Sequence, residues 1–395
     1  MDELRYAITA GKIYTESGIV ENGTVIVDKG RIAAIVSKEE AGTVERVYDY
    51  SGFQLFPGLI DLHIHGANGF DTMQADFKAL NGISRYLAKQ GITAFLPTTV
   101  TDTIVNIKTA LQNVKECMGK VEGAQILGSY IEGPYITAEH NGAHPRELIR
   151  EVRLGEVEDL LAAAGDTVRT VALAPEKPKA LELIQYLKAR RVHAAIGHTN
   201  AAYEQVQQAV HAGADIAVHT YNGMRGLHHR EPGTVGAALV NDTIYTELIA
   251  DFIHTHPAAI EILLRCKPQN KVVLISDAMQ ATGLPDGQYQ LGTLPVVVED
   301  GIVRTESGSL AGSTANIMQS VGGLIQKMGM SPLTAVHMAS LNPARLLGIA
   351  GETGSISTGK QADIVVVDDA FSVVMTVVKG KVVYQRAETA DKAGG

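Results

Sequence analysis

Leu55-Phe56-Pro57-Gly58-Leu59-Ile60-Asp61-Leu62-His63-Ile64-His65-Gly66 sets the reading of the whole chain. It is an apolar run closed by two histidines one residue apart, short enough for a strand and too apolar for one that faces water. With this first run taken as 55–63, others of the same kind lie at 93–98, 125–131, 170–174, 193–198, 215–219, 246–253 and 272–277. Strands buried on both faces read as near-continuous apolar runs, the pattern of a parallel sheet covered by helices. The stretches between them carry a helical period, at 77–89, 104–118, 156–164, 179–190 and 202–212. In the last, Tyr203, Val206 and Val210 fall three and four residues apart on one face. Eight alternating units predict an α/β fold of the (β/α)8 TIM-barrel type. A doubly wound open sheet is the alternative, but no G-x-G-x-x-G turn follows an early strand. Further helices are expected at 314–328 and 332–347.

Outside that region the rhythm changes. Short strands are expected at 6–10, 12–14, 23–28, 31–36 and 46–49, punctuated by Asn22-Gly23 and Lys29-Gly30. Residues 363–368 and 373–384 have the same character, around the turn Lys379-Gly380-Lys381. Neither end is long enough to close a core alone, so both are expected to join in one small β-sandwich domain. The predicted organisation is 1–55 and 349–386 as its two parts, 56–348 as the barrel, and 387–395 as a polar tail that frays.

Composition narrows the function classes. The 395 residues are 45% apolar and 19% charged, enough to bury a sizeable core. Lys plus Arg (34) against Asp plus Glu (43) leaves a net charge of −9, which repels a phosphate backbone, so no nucleic-acid partner is expected. No stretch approaches the roughly 20 apolar residues that span a bilayer, so no membrane partner is expected. Residues 1–11 lack the cationic flank and apolar core of a secretory signal, and the expected address is cytoplasmic. Cys117 and Cys266 belong to no C-x-x-C pattern, which argues against a disulfide framework and a thiolate metal site.

Polar residues collect at one end of the apolar runs. His63 and His65 close the first, Glu132 the third, His198 the fifth, His219 the sixth and Asp277 the eighth. The C-terminal ends of barrel strands share one mouth, where reactive groups gather. Alternation along a strand puts His63 and His65 on one face and Ile64 on the other. Imidazole with carboxylate suits zinc, iron(II), manganese or cobalt, whereas calcium would want oxygen alone. Each residue alone has a plainer reading: a chance H-x-H among 13 histidines, an exposed Glu132, a satisfied core His198, an Asp277 that caps the next turn. Six such groups at the same end of five strands do not, because chance would scatter them among helices and strand starts. Of the remaining histidines, His193 begins its strand, at the wrong end, and His211 and His337 lie in helices. His140, His228, His229 and His256 lie in loops. His144, in the loop after Glu132, and His254, at the end of the seventh run, can reach the mouth.

These motifs resemble a family. The stretch from Phe56 to Gly66 resembles the opening signature of the amidohydrolase superfamily, and Gly354-Ser355-Ile356 through Gly359-Lys360-Gln361-Ala362-Asp363-Ile364-Val365-Val366 resembles its return into a β domain. Ile131-Glu132-Gly133-Pro134-Tyr135, Gly142-Ala143-His144, Gly197-His198-Thr199-Asn200, His219-Thr220-Tyr221-Asn222-Gly223-Met224, Ser276-Asp277-Ala278 and Leu310-Ala311-Gly312-Ser313 resemble its N-acetylglucosamine-6-phosphate deacetylases. The resemblance runs from the first strand to about Val383. It implies Glu132, His198 and His219 as metal ligands and Asp277 as catalytic acid/base. It gives Ala143, Asn222, Gly223, Arg230, His254, Leu310, Ala311 and Gly312 to substrate binding, with His144 at the substrate as a catalytic hydrogen-bond donor.

The same resemblance implies one or two divalent cations per chain, zinc or iron. Some members lack the first-strand histidines and hold one metal. Here His63 and His65 are both present, so a two-metal site bridged by Glu132 is expected. The superfamily's carboxylated lysine bridge on the fourth strand has no counterpart in Ala174-Pro175-Glu176, which leaves Glu176 as a second bridging candidate. Members are commonly homodimers, and a partner chain can complete the pocket. The implied reaction is hydrolysis of an amino-sugar phosphate, N-acetylglucosamine 6-phosphate, to glucosamine 6-phosphate and acetate in amino-sugar catabolism. Asp277 moves the proton, and Arg230 with His254 faces the phosphate. Rival readings are an N-acetylgalactosamine-6-phosphate deacetylase, a cyclic amidase, an aminoacylase and a non-catalytic metal-binding barrel. The last has no use for Asp277 as a spare carboxylate.

Overall fold

The structure, a computed structural model, describes residues 5–387 except 41 and 43. The expected tail lies outside the described residues from 388 onward. The chain builds its barrel from eight parallel strands: β1 (Leu59–Ile64), β2 (Ile92–Thr99), β3 (Ser129–Glu132), β4 (Val168–Leu173), β5 (His193–Ile196), β6 (Ile216–Ala217), β7 (Tyr245–Leu248) and β8 (Val272–Leu274). Each pairs with its successor along the chain. A parallel bridge between Ile64 and Ala278 returns the sheet from the β8 end to β1. There His65 N–H donates to Ala278 O at 2.9 Å and Asp277 N–H to His63 O at 2.9 Å. The ring therefore closes through the residues that carry the candidate chemistry.

Both faces of this sheet are dry, which is why its strands are so apolar. Inside, Ile60, Leu96, Tyr130, Ala172, Ala195 and Val273 meet in one buried cluster. Outside, Leu59, Ile64 and Phe95 pack against Leu80, Ile83 and Leu87 of the helix Phe77–Lys89. Each side chain fully buried in this way contributes about 1.5–3 kcal/mol. That helix begins where Asp76 accepts the Ala79 N–H at 2.7 Å, satisfying one of its free first-turn donors.

The two ends of the chain share a second sheet of seven strands. The N-terminal strands Tyr6–Tyr14, Ile19–Asp28, Arg31–Ser37 and Arg46–Pro57 join Ile364–Val367, Val373–Val378 and Lys381–Gln385. Arg46–Pro57 lies between Tyr6–Tyr14, to which it is parallel, and Ile364–Val367, to which it is antiparallel. Ile8, Val25, Ile32, Leu55, Ile364 and Val377 fill a core separate from that of the barrel.

Several boundaries differ from the expected ones. The first run splits at Gly58: Leu55 and Phe56 belong to the small sheet, and β1 starts at Leu59. A Cβ on Gly58 would come within 2.2 Å of Thr93 Oγ1, so the crossing requires glycine. The third run breaks into Gln125–Ile126 and β3. The seventh ends at Leu248, which leaves His254 in the following loop rather than on the strand. A three-stranded antiparallel meander after β8, at Gly287–Leu291, Leu294–Glu299 and Ile302–Thr305, has no counterpart among the expected elements. Its signal is present in the sequence: Val296 and Val298 are buried, Val297 between them is exposed, and Asp300-Gly301 turns the chain. The helices Gly233–Val240 and Pro257–Cys266 are likewise additional.

Candidate metal centre

The candidate ligands arrive from five strand ends at one rim. The pairing of β1 with β2 shifts between Asp61 and Ile64. Ile60 and Leu62 face the barrel interior, so strict alternation would turn His63 outward. The irregularity changes phase, and Ile64 packs outward while His63 and His65 both turn Nε2 toward Glu132 and Asp277. His198, His219 and Asp277 follow their strands at φ 45, 23 and 50. Left-handed backbone is costly for such residues, about 1–3 kcal/mol each, and tends to persist where a site demands it.

Glu132 stands at the centre. Its Oε1 lies 3.2 Å from His198 Nε2, 3.1 Å from His219 Nε2 and 3.5 Å from His63 Nε2. Its Oε2 lies 3.2 Å from His65 Nε2 and 3.4 Å from His144 Nε2. Asp277 Oδ1 is 3.2 Å from His65 Nε2 and 3.6 Å from His63 Nε2. The Asp277 side chain is 12% exposed against 2% for Glu132, so Asp277 is the more open of the two carboxylates on the cavity wall.

The outer nitrogen of each ring fixes what the inner one offers. His65, His198 and His219 place Nδ1 on the carbonyl oxygens of Thr98 (3.2 Å), His140 (2.7 Å) and Asn222 (3.1 Å). A carbonyl only accepts, so each Nδ1 carries the proton. His63 Nδ1 sits 3.0 Å from Glu247 Oε2, with the same consequence. With Nδ1 protonated, these four rings turn Nε2 inward as the atom that can bind a cation once it carries no proton, and the Nε2 atoms of His198 and His219 stand 3.1 Å apart. His63 Nε2 is buried with no hydrogen-bond partner among the described residues. Imidazole lone pairs and carboxylate oxygens converging in this way fit a divalent cation.

His144 has the opposite tautomer. Thr101 N–H donates to its Nδ1 at 3.2 Å, so the proton is on Nε2 and the ring is a donor toward the site, not a ligand. A Cβ on Gly133 would lie 2.0 Å from Thr101 Oγ1, the hydroxyl 2.7 Å from that Nδ1. Burial and the nearby charge of His198 push His144 down to about 4, so it stays a neutral donor. Burial opposes ionisation of Asp277 as well, but the His65 hydrogen bond and the His63 charge hold it at about 2. Burial would lower His65, yet hydrogen bonds to Asp277 and Glu132 raise it to about 9. Such a proton and a cation compete for the same Nε2 lone pair.

The cavity above these groups measures about 250 Å³. Its walls include His65, Glu132, Ala143, His144, His198, His219, Asn222, Gly223, His254, Asp277, Leu310 and Gly312. Ala311 is fully buried behind the wall. Arg230 is not on the wall: it is exposed, with Nη1 2.8 Å from His229 Nε2. Glu176 neither lines the cavity nor belongs to a candidate ligand group; its oxygens accept the Thr199 hydroxyl (2.5 Å) and the Asn200 N–H (2.7 Å). Sequence reading misses Glu247, Asp251, Val100, Leu291 and Ser309. Asp251 Oδ2 lies 2.7 Å from His254 Nδ1, and the last three line the cavity. Glu247 has a signal, since an acid inside an apolar strand requires a buried partner.

Over residues 54–383 the chain matches the amidohydrolase family. The chain belongs to the amidohydrolase family. This amidohydrolase is 45% identical over 366 residues to an N-acetylglucosamine-6-phosphate deacetylase of Vibrio furnissii, covering 90% of this chain and 92% of that one. It is 42% identical over 379 residues to an N-acetylgalactosamine-6-phosphate deacetylase of Escherichia coli O157:H7, covering 96% and 99%. Among solved structures, a mutant of N-acetyl-D-glucosamine-6-phosphate deacetylase from Mycobacterium smegmatis, in complex with N-acetyl-D-glucosamine-6-phosphate, superposes with a TM-score of 0.91. The two are 29% identical, over 97% of this chain and 100% of that one.

Proposed function

We propose that this amidohydrolase hydrolyses the acetamide of N-acetyl-D-glucosamine 6-phosphate to give D-glucosamine 6-phosphate and acetate. The observation that carries the reading is the ring orientation: four rings anchor Nδ1 outward and turn Nε2 toward Glu132 and Asp277, and a fifth, His144, accepts a backbone N–H at Nδ1 and so turns an N–H inward. His63, His65, Glu132, His198, His219 and Asp277 would hold one or two divalent cations, zinc or iron, with Glu132 within 3.5 Å of the Nε2 atoms of all four histidines. A divalent cation there lowers the pKa of a water to about 7 and polarises a carbonyl oxygen.

The chain's own groups do the rest. Asp277, the more exposed carboxylate on the cavity wall, takes the proton from the attacking water and returns it to the leaving nitrogen. His144 Nε2–H donates to the carbonyl oxygen as charge builds on it. Asn222, Gly223 and the Leu310–Gly312 segment orient the sugar. His254 receives the phosphate end, joined by Arg230 across the interface of a homodimer. The barrel, taken as 56–348, carries the whole reaction, and the unit built from 1–55 and 349–386 carries none of it. Among the described residues no helix is long and apolar enough to cross a membrane, and we infer a cytoplasmic enzyme.

The 42% identity to a galactosamine-type relative over nearly its full length favours one second reading, the C4 epimer as substrate. Acetate release from both epimers, from their unphosphorylated forms, from an acylated amino acid and from a cyclic amide tests the reading. The highest kcat/KM is expected for the glucosamine derivative. A preference for the galacto epimer would replace it with the second reading, and turnover of the cyclic amide alone would overturn both.

A further inference from the structure

Glu247 is buried, 1% exposed, at the C-terminal end of β7, and it does not line the cavity. Its Oε2 accepts from His63 Nδ1 at 3.0 Å and from the backbone N–H of His219 at 3.2 Å. Its Oε1 has no hydrogen-bond partner among the described residues. No Lys or Arg pairs with it there; its ion-pair contact is to His63. The other candidate ligand rings, His65, His198 and His219, rest Nδ1 on neutral carbonyl oxygens. His63 alone among them rests on a carboxylate.

His63, His65 and Asp277 place ligand atoms within 4.8 Å of one another. We propose that Glu247 is a positioning residue that makes His63 the strongest imidazole donor of the set, and so controls loading of the cation that this group would hold. This role rests on the proposed metal-dependent function and deepens it. A charged acceptor fixes the ring tautomer more firmly than a carbonyl does and raises the basicity of the opposite nitrogen. It also supplies a buried negative charge that a second divalent cation can balance. The bond to His219 N–H ties the same carboxylate to the neighbouring group, but through backbone, so the basicity of the His219 ring is untouched. Loss of Glu247 therefore weakens one cation position selectively. Changes to groups of this kind typically cost about 10–100-fold in metal affinity.

The test uses full-length protein stripped with a chelator and titrated with Co²⁺, read by elemental analysis and by the visible absorption of bound cobalt. Wild type is expected to take two ions. Glu247→Leu is expected to keep one at near wild-type affinity and to bind the other about 10–100-fold more weakly. Glu247→Gln keeps an acceptor without the charge and should fall between; it carries the test alone if the Leu variant does not fold, as judged by circular dichroism. Equal weakening of both ions, wild-type loading in the folded variants, or a wild type that takes one ion would overturn the inference and leave the metal-dependent reading intact. A wild type that takes no ion would overturn both.

Discussion

Asp277→Asn tests proton transfer, provided the bound metal is measured alongside, since Asp277 is also a candidate ligand. The substitution keeps the shape of the side chain, and Oδ1 can still face His65 Nε2 at 3.2 Å. What it removes is a carboxylate held at about 2, and so ionised at any working pH. Among the described residues Glu132 is the one other carboxylate on the cavity wall. Both oxygens of Glu132 are taken up by histidines, and Glu247 lies behind His63, away from the cavity. Positioned proton transfer contributes about 10²–10⁴-fold, or roughly 3–5 kcal/mol of barrier. With no alternative base, the loss in kcat should lie in the upper half of that range, while KM for N-acetylglucosamine 6-phosphate stays within about threefold. Initial-rate acetate release, run beside elemental analysis of the same preparation, separates the two effects. A metal-replete Asp277→Asn enzyme with kcat within tenfold of wild type would refute the assignment.

Other expectations follow from single contacts. His144→Asn removes the inward N–H and should lower kcat by about 10²–10³-fold without emptying the metal site; a comparable loss of bound metal would make His144 a ligand instead. Asp251→Asn weakens the carboxylate on which His254 Nδ1 rests and should raise KM for the phosphorylated sugar about tenfold, with little change for the unphosphorylated one. Equal changes for both would remove His254 from the phosphate end. Lys267 is 4% exposed, donates to the carbonyls of Ala238 and Asn241, and is depressed by burial from 10.5 to about 8. Between those values the unfolded chain binds more protons than the folded one, so stability gains as pH rises. Relative to Lys267→Met, wild type should gain about 1.5 kcal/mol between pH 8 and 9.5 in urea unfolding, and a flat difference would contradict the shift.

The barrel is legible because its strands are buried on both faces, which leaves apolar runs that no surface element would tolerate. The site is legible because six polar residues end those runs, where water would otherwise be expected. What escapes has physical reasons too. Leu55 and Phe56 are as apolar as β1 but belong to the small sheet, and only the clash that any Cβ at Gly58 would make with Thr93 marks the crossing. His63 reaches the mouth through a change of strand phase that simple alternation does not contain. Glu247 reads as part of an apolar run because its partner, His63, is distant in sequence. Arg230 carries the right charge for phosphate, yet its guanidinium lies on His229 outside the cavity, and charge alone does not give direction.

The interleaved small sheet has a consequence for synthesis. Arg46–Pro57 emerges early, but its neighbour Ile364–Val367 is translated only after the entire barrel. Until then the Gln54–Pro57 end of that strand, which carries Leu55 and Phe56, has an open edge able to pair with another nascent chain. Premature termination anywhere before that neighbour should therefore yield aggregates rather than a soluble, smaller enzyme.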